Sequence, residues 1–149
     1  MGQPAAKKGD QIVATDTHIV MVPAPPGPPV PTPLPHPCAG ILNGSLSSDV
    51  NIMGLPAATV DSTADNTPPH LPTPPGTAFQ NPPANKATIK LGSATVKING
   101  KMAARKTDFT MHPGPGVIIE GSGNVEIGGP RGGATLGNPA QVDGSRIDA

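Results

Sequence analysis

The chain has 149 residues, among them 22 prolines, 19 glycines, a single cysteine and only two residues of the Phe, Tyr and Trp type. So few aromatic residues make an α/β enzyme core improbable, and the balance of ten basic and ten acidic side chains removes the electrostatic argument for nucleic acid or an anionic membrane as partner. A small domain with so poor a core needs a disulfide, a metal ion or an oligomeric partner, and one cysteine excludes an internal disulfide.

Three short segments of the chain have the alternation that is typical of β-strands. Residues 50–52, 96–98 and 125–127 each place two β-branched side chains on one face, with a polar residue between them. Glycine follows each segment, and Asn99-Gly100 is a strong signal for a tight turn. Proline or glycine interrupts almost every window of helical length. The sequence therefore predicts an all-β chain of short strands and tight turns.

An Ala-Ala pair recurs together with these strands. The three copies are Pro4-Ala5-Ala6, Pro56-Ala57-Ala58 and Met102-Ala103-Ala104. Repeated units of this kind predict an internal pseudo-threefold arrangement.

Proline-rich stretches at residues 23–37 and 67–83 interrupt the repeats. Such stretches are typical of polyproline II linkers or of ligands for proline-binding domains. Because both lie inside the repeat frame and not at its ends, we predict stiff loops. Residues 130–149 are glycine-rich and lack a strand pattern. We therefore expect one repeat domain over residues 1–129 and a tail over residues 130–149.

The four histidines are the candidate metal ligands of the chain. His18 and His70 each lie eight residues after equivalent repeat positions, His112 lies four residues after the third such position, and His36 is held between two prolines. If the repeats surround one axis, the loops that follow them converge at one end and bring the imidazoles together. Cys38 is a further candidate, ranked lower because one residue separates it from His36.

Zinc is the metal that such a cluster favours, because zinc takes nitrogen and sulfur ligands tetrahedrally. Four protein ligands would close the coordination sphere and make the site structural. Structural zinc contributes on the order of 10 kcal/mol in small domains, which a core this poor in large side chains needs.

The motifs resemble those of the PAAR proteins, named after a Pro-Ala-Ala-Arg repeat. The matching residues are Pro4-Ala5-Ala6-Lys7-Lys8-Gly9-Asp10, Gly92 to Lys101 with the following Ala103-Ala104-Arg105-Lys106-Thr107-Asp108, and the proline-rich Leu34-Pro35-His36-Pro37 and Asn66-Thr67-Pro68-Pro69-His70. The second and third copies depart from the motif, with Asp61 and Thr107 at the position of Gly9 and Met102 at the position of Pro4.

The resemblance implies a small β cone that forms the tip of a contractile injection machine, such as a type VI secretion system or a phage tail-like particle. It implies zinc near the apex, held here by His18, His36, His70 and His112. It also implies a base that docks on a trimeric β-helical spike, as a monomer on a trimer, and that leaves room for effector cargo. The residues expected at that base are Val50, Ile52, Val96, Ile98, Val125 and Ile127.

Two other functions are weighed against this structural role. A zinc hydrolase would need an open metal position and a general base, but the only glutamates are Glu120 and Glu126 and no His-Glu-x-x-His motif occurs. An interaction scaffold or cargo adaptor without a metal site would bind partners through its proline-rich loops. The sequence does not separate zinc from iron.

The N-terminal residues predict where the chain is made. Residues 1–11 lack the apolar stretch of a secretion signal, and no run approaches the length of a membrane span. We expect synthesis in the cytoplasm, followed by delivery at the tip of the particle without stable membrane insertion.

Overall fold

The computed structural model describes residues 2–112 and 114–131, and these residues form β-strands, bridges and turns without a helix. The strands are β1 (Gln3–Pro4), β2 (Gln11–Val22), β3 (Val30–Gly44), β4 (Asn51–Ile52), β5 (Leu55–Pro56), β6 (Thr63–Asn66), β7 (Ala78–Phe79), β8 (Lys86–Ile89), β9 (Lys97–Ile98), β10 (Lys101–Met102), β11 (Phe109–His112), β12 (Gly114–Ile118) and β13 (Glu126–Ile127). The prediction of an all-β fold is confirmed. A helix long and apolar enough to cross a membrane does not occur in the described part of the chain.

A ring of backbone hydrogen bonds joins the three Ala-Ala units around one axis. Ala6 N–H donates to Ala104 O, Ala104 N–H to Ala58 O, and Ala58 N–H back to Ala6 O, each at 3.0 Å. All three alanines are fully buried. Alanine is the side chain that lets three backbones approach this closely without a clash, which explains why the pair recurs in each copy.

Each repeat also carries a short hairpin beside the ring. β4 pairs with β5 and β9 with β10 through two-residue turns, in which Gly54 and Gly100 both have a φ of 79°. That positive φ is a conformation that glycine adopts at little cost. The third hairpin has no turn, because it is formed by β13 and β1 from opposite ends of the described chain.

Six longer strands close into a barrel above the ring. Each repeat continues into an antiparallel strand pair, namely β2–β3, β6–β8 and β11–β12. Neighbouring pairs join through β3–β6, β8–β11 and β12–β2, so the sheet returns to its first strand. Closure of this kind leaves no free edge where the six strands overlap, and the β2–β3 pair extends beyond the closed part from residues 15 to 22 and from residues 30 to 39.

The core has two clusters that follow the symmetry of the repeats. The first lies against the alanine ring inside the barrel and includes Ile12, Leu42, Ile89 and Ile118, all fully buried. The second lies beneath the ring and consists of Ala5, Ile52, Ala57, Ile98, Ala103 and Ile127. We call the ring, the three hairpins and this second cluster the ring end of the molecule.

The first proline-rich stretch differs from the prediction. Residues 23–29 are loop, but β3 begins at Val30 and pairs with β2 in a ladder that runs from Val22↔Val30 to Gln11↔Ile41. Prolines 31, 33, 35 and 37 occupy every second position, so their missing N–H groups all fall on one edge of the strand, and the residues between them supply the other edge. The second stretch, 67–83, is mostly loop, with β7 inside it.

The first two residues of the predicted tail contact the repeat domain. Ala94 N–H donates to Pro130 O, and Ser93 forms a bridge with Arg131. The rest of the predicted tail, residues 132–149, lies outside the described residues.

Candidate metal centre

The barrel interior changes from apolar to polar along β2. Ile12 belongs to the apolar core, Asp16 and His18 follow at alternate inward positions, and a residue rise of about 3.3 Å places His18 roughly 20 Å beyond Ile12. His36 and Cys38 occupy inward positions of β3, opposite Asp16 and Ala14. We call this part of the barrel the histidine end.

Four side chains at this end bring potential metal ligands together. Asp16, Cys38, His70 and His112 each offer one ligand atom, all of these atoms lie within 4.8 Å of one another, and all four side chains are buried. Tetrahedral zinc ligands lie about 3.3–3.8 Å apart. The donor atoms are spaced on this scale, but Asp16 and His112 contact each other directly and would have to separate for both to bind one ion.

Asp16 is the centre of the cluster. Its Oδ2 lies 3.1 Å from His70 Nε2 and 3.5 Å from His18 Nε2, and it also pairs with His112 Nδ1. Its other oxygen, Oδ1, accepts the Gly114 N–H at 2.9 Å. Three imidazoles from different segments therefore point toward one carboxylate oxygen.

The predicted ligands His18 and His36 lie next to this group. The ring centroid of His18 lies 4.9 Å from that of His70 and 5.2 Å from that of His36. Phe79 packs against both His18 and His36. All four histidines thus gather at the histidine end, although His18 lies in a strand and His70 in the segment between β6 and β7. Which of them bind metal stays a prediction.

Charge and burial set the ionisation of two residues in the cluster. Burial, reinforced by the charge of Asp16, raises the pKa of the Cys38 thiol to about 11. Burial, followed by the charge of His70, lowers the pKa of His18 below its ordinary value. Both residues therefore stay uncharged near neutral pH unless a cation offsets the cost of deprotonating the thiol.

The donor set fits a metal ion. Cysteine sulfur, imidazole nitrogen and carboxylate oxygen are all zinc ligands. His112 Nε2 and His18 Nε2 are buried and have no hydrogen-bond partner among the described residues, which is costly for a polar atom in a dry interior. A cation in the cluster would give His112 Nε2 a partner, and a cation bound by all four histidines would also give His18 Nε2 one.

The comparisons with known proteins support the resemblance described above. A model of the PAAR motif matches residues 32–115, which is more than half of the 149-residue chain. The chain belongs to the PAAR family. A search of curated proteins found no match. Membership places the chain among the structural, spike-tip-associated proteins of contractile injection systems, a family not known for enzymatic activity.

The ring end of this PAAR protein carries the residues predicted to meet a partner. Val50 O, Val96 O and Val125 O accept the N–H groups of Ala57, Ala103 and Ala5, so the three valines occupy equivalent places around the axis. Val50 and Val96 are 37 % and 36 % exposed, whereas Ile52, Ile98 and Ile127 are at most 9 % exposed and pack in the second core cluster. Val50 and Val96 thus offer side-chain surface, Val125 is partly buried against the second core cluster, and the isoleucines pack beneath all three valines.

Sequence reasoning missed Asp16. It shares the inward face of β2 with Ile12, Ala14 and His18, at every second position of the strand. That alternation would have marked Asp16 as an inward residue, but a carboxylate on an apolar face breaks the pattern by which a strand is predicted. Asn66 and Asn85 were also missed. Asn85 Oδ1 accepts the His70 N–H at 2.8 Å, and Asn66 Oδ1 accepts the Ala39 N–H at 3.0 Å, so both asparagines hold the backbone near the cluster.

Proposed function

We propose that this protein is the non-enzymatic tip of a contractile injection particle, where it caps the trimeric β-helical spike and sharpens it for membrane puncture. The observation that carries the proposal is the combination of a three-repeat ring at one end with a buried donor cluster at the other. A rigid tip benefits from a closed barrel and from a metal ion that joins its loops.

The metal in this proposal is a structural zinc ion. Asp16 as carboxylate and Cys38 as thiolate would together supply two negative charges, which balance a divalent cation in a buried site. If four neutral histidines bound the ion instead, only the nearby Asp16 carboxylate would offset the two positive charges of the cation. We therefore assign the ligands as Asp16, Cys38, His70 and His112, and the set of four histidines predicted from the sequence is the competing assignment.

Metal content per chain, measured by mass spectrometry, tests the zinc site and separates the two ligand sets. Wild type is expected to carry one zinc ion per chain, and His70→Ala and His112→Ala are expected to lose it. Cys38→Ser loses zinc under our assignment and keeps it under the four-histidine assignment, whereas His18→Ala does the reverse. Met111→Ala is the matched control, because Met111 precedes His112 in β11 and is 43 % exposed.

One outcome would overturn the zinc site itself. If wild type carries no metal and has the same Tm with and without a chelator, the cluster is a hydrogen-bonded polar core. The family assignment would stand, and the proline-rich loops would become the candidate binding element.

The partner in this proposal binds the ring end. A trimeric spike offers three equivalent surfaces, and Val50, Val96 and Val125 match that symmetry. We expect the triple variant with aspartate at all three positions to lose binding to the purified trimeric spike of the same particle, measured by size-exclusion chromatography with light scattering. Ile41→Asp is the control, because Ile41 is 45 % exposed on the barrel strand β3. Unchanged binding by the triple variant would refute this interface.

A further inference from the structure

His36 differs from the other histidines in the way its ring is bonded. Its Nδ1 lies 2.9 Å from Leu34 O, and its Nε2 lies 3.2 Å from the backbone nitrogen of Thr73. A carbonyl oxygen can only accept and an amide N–H can only donate. The two neighbours therefore set the tautomer: Nδ1 carries the proton, and the lone pair of Nε2 accepts the Thr73 N–H.

Both ring nitrogens of His36 are thus occupied by backbone groups, and the residue is 3 % exposed. By contrast, Nε2 of His18 and Nε2 of His112 have no hydrogen-bond partner among the residues that the structure describes. His36 is also outside the group whose ligand atoms lie within 4.8 Å of one another. To bind a metal through Nε2, His36 would have to release Thr73.

Thr73 belongs to the same loop as His70. The loop is attached to β3 near Thr73, where Thr73 Oγ1 also donates to Pro35 O at 3.4 Å, and near β8, where Asn85 accepts the His70 N–H. The loop is therefore held at His70 itself, through Asn85, and three residues further on at Thr73, through His36. A groove lined by His36, Cys38, His70, Leu71 and Thr73 runs along this loop. Loss of the hydrogen bond between Thr73 and His36 would therefore detach the part of the loop that forms one side of this groove.

We propose that His36 is a positioning residue of the metal centre and not one of its ligands: it fastens the loop at Thr73 and so places His70. This inference rests on the proposed metal site. Removing the hydrogen bond between Thr73 and His36 should weaken metal binding without changing the coordinating atoms. Loss of a hydrogen bond that supports a metal ligand in this way lowers metal affinity by about 10–100-fold.

Cobalt titration of the full-length protein tests the inference, with His36→Gln, His36→Ala and Thr73→Pro as variants. The amide oxygen of glutamine can replace the Nε2 lone pair as acceptor, so His36→Gln should bind Co²⁺ with near wild-type affinity. His36→Ala should bind about tenfold to a hundredfold more weakly and show the wild-type visible spectrum once saturated. Thr73→Pro removes the donated N–H from a residue that offers no ligand atom, and it should reproduce the loss seen in His36→Ala.

Hydrogen exchange of the metal-free proteins gives a second readout, which does not depend on metal. The amide of Thr73 should be protected in wild type and in His36→Gln, and it should exchange faster in His36→Ala. Leu71→Ala is the control within the same loop, because Leu71 is 79 % exposed. It should change neither affinity nor exchange.

The possible failures are distinguishable. If His36→Gln loses Co²⁺ or saturates with an altered visible spectrum, His36 is a ligand and the inference is wrong, although the metal site stands. If Thr73→Pro binds as tightly as wild type, the fastening does not place His70, and the inference is again wrong. If wild type binds no Co²⁺ at all, the proposed zinc site itself fails, and the inference fails with it.

Discussion

The two ends of the barrel are built in opposite ways. At the ring end, the same backbone bonds and the same small side chains occur three times, once in each repeat. At the histidine end, the potential metal ligands come from the β2–β3 strand pair, from the loop between β6 and β7, and from β11. Equivalent positions of the three repeats carry different residues there. The three repeats thus make equivalent contacts at the ring end, whereas at the histidine end each repeat contributes different residues.

One repeat departs from symmetry even at the ring end. Its hairpin is split between β1 and β13 and lacks the covalent turn of the other two. The neighbouring repeat, which follows the β9–β10 hairpin, carries Arg105 at the motif position equivalent to Lys7 and Thr59, and Arg105 is 1 % exposed. Its guanidinium forms two bonds with Asp108 and donates to the carbonyls of Ile127, Gly128 and Gly129, at 3.4, 3.1 and 2.7 Å. Arginine therefore supplies side-chain bonds where the other repeats have a peptide turn.

The largest effect that we expect comes from removing that arginine. Arg105→Met leaves three carbonyls without this donor, and it leaves the buried Asp108 carboxylate with Arg131, at 2.9 Å, as its remaining charged partner. Breaking one side of a buried ion pair costs about 3–5 kcal/mol, and because Arg131 remains we expect a loss near the lower end, about 3 kcal/mol. Urea denaturation of the metal-loaded protein measures the loss of unfolding free energy.

Lys7→Met is the matched control for the arginine. Lys7 Nζ pairs with Asp10 at 2.7 Å and forms no bond to a split hairpin, so its loss should cost about 1–2 kcal/mol. Equal losses of unfolding free energy in the two variants would mean that Arg105 contributes only what the Lys7–Asp10 pair contributes. Contacts other than the Arg105 hydrogen bonds would then hold β13 against β1.

A smaller effect tests whether the ring end is symmetric in energy as well as in geometry. Ser47, Ser93 and Ser122 are buried at equivalent positions, and the Oγ of each accepts the N–H groups of the residues two and three positions ahead. Each change to alanine should therefore cost about 1–2 kcal/mol, with similar values at the three sites. Thermal unfolding of the three single variants measures this, and a spread of several kcal/mol would show that the repeats are alike in shape only.

The contrast between the two ends explains what the sequence could predict. The Ala-Ala pairs, the strands at residues 50–52, 96–98 and 125–127 and the Asn99-Gly100 turn are local patterns, and each recurs in the structure at the ring end. The confirmed all-β fold follows from them.

The histidine end was harder to predict because non-local pairing builds it. The sequence does not predict β2 because Asp16 and His18 interrupt the apolar face of the strand, and the prolines up to Pro37 predict a loop where the first half of β3 lies. Sequence spacing brought His18 and His70 together by an assumed symmetry, but their local structures differ. The role of His36 depends on Thr73, whose amide no pattern of residue types can place.

The smallest effect concerns the outer face of the barrel, where neither end imposes symmetry. Asp65 on β6 faces Lys86 on β8, with Nζ 2.9 Å from Oδ1, and it also accepts a bond from Asn43. The hydrogen bond from Lys86, followed by that from Asn43, lowers the pKa of Asp65 below its ordinary 3.8. A carboxyl group whose pKa is lowered by folding stabilises the folded state above its ordinary pKa, and this contribution is lost as the pH falls through the lowered value.

Replacing the lysine should move that titration without disturbing either end. In Lys86→Met the pKa of Asp65 should rise toward 3.8, as followed by NMR of the side-chain carboxyl carbon, while zinc content and binding to the spike stay at wild-type levels. Lys97→Met removes the same charge from β9 at the ring end and should leave the pKa of Asp65 unchanged. An unchanged pKa in Lys86→Met would mean that Asn43 alone holds the carboxylate. Because both residues are half exposed, the pair is a feature of one repeat's surface, and losing it should cost little stability.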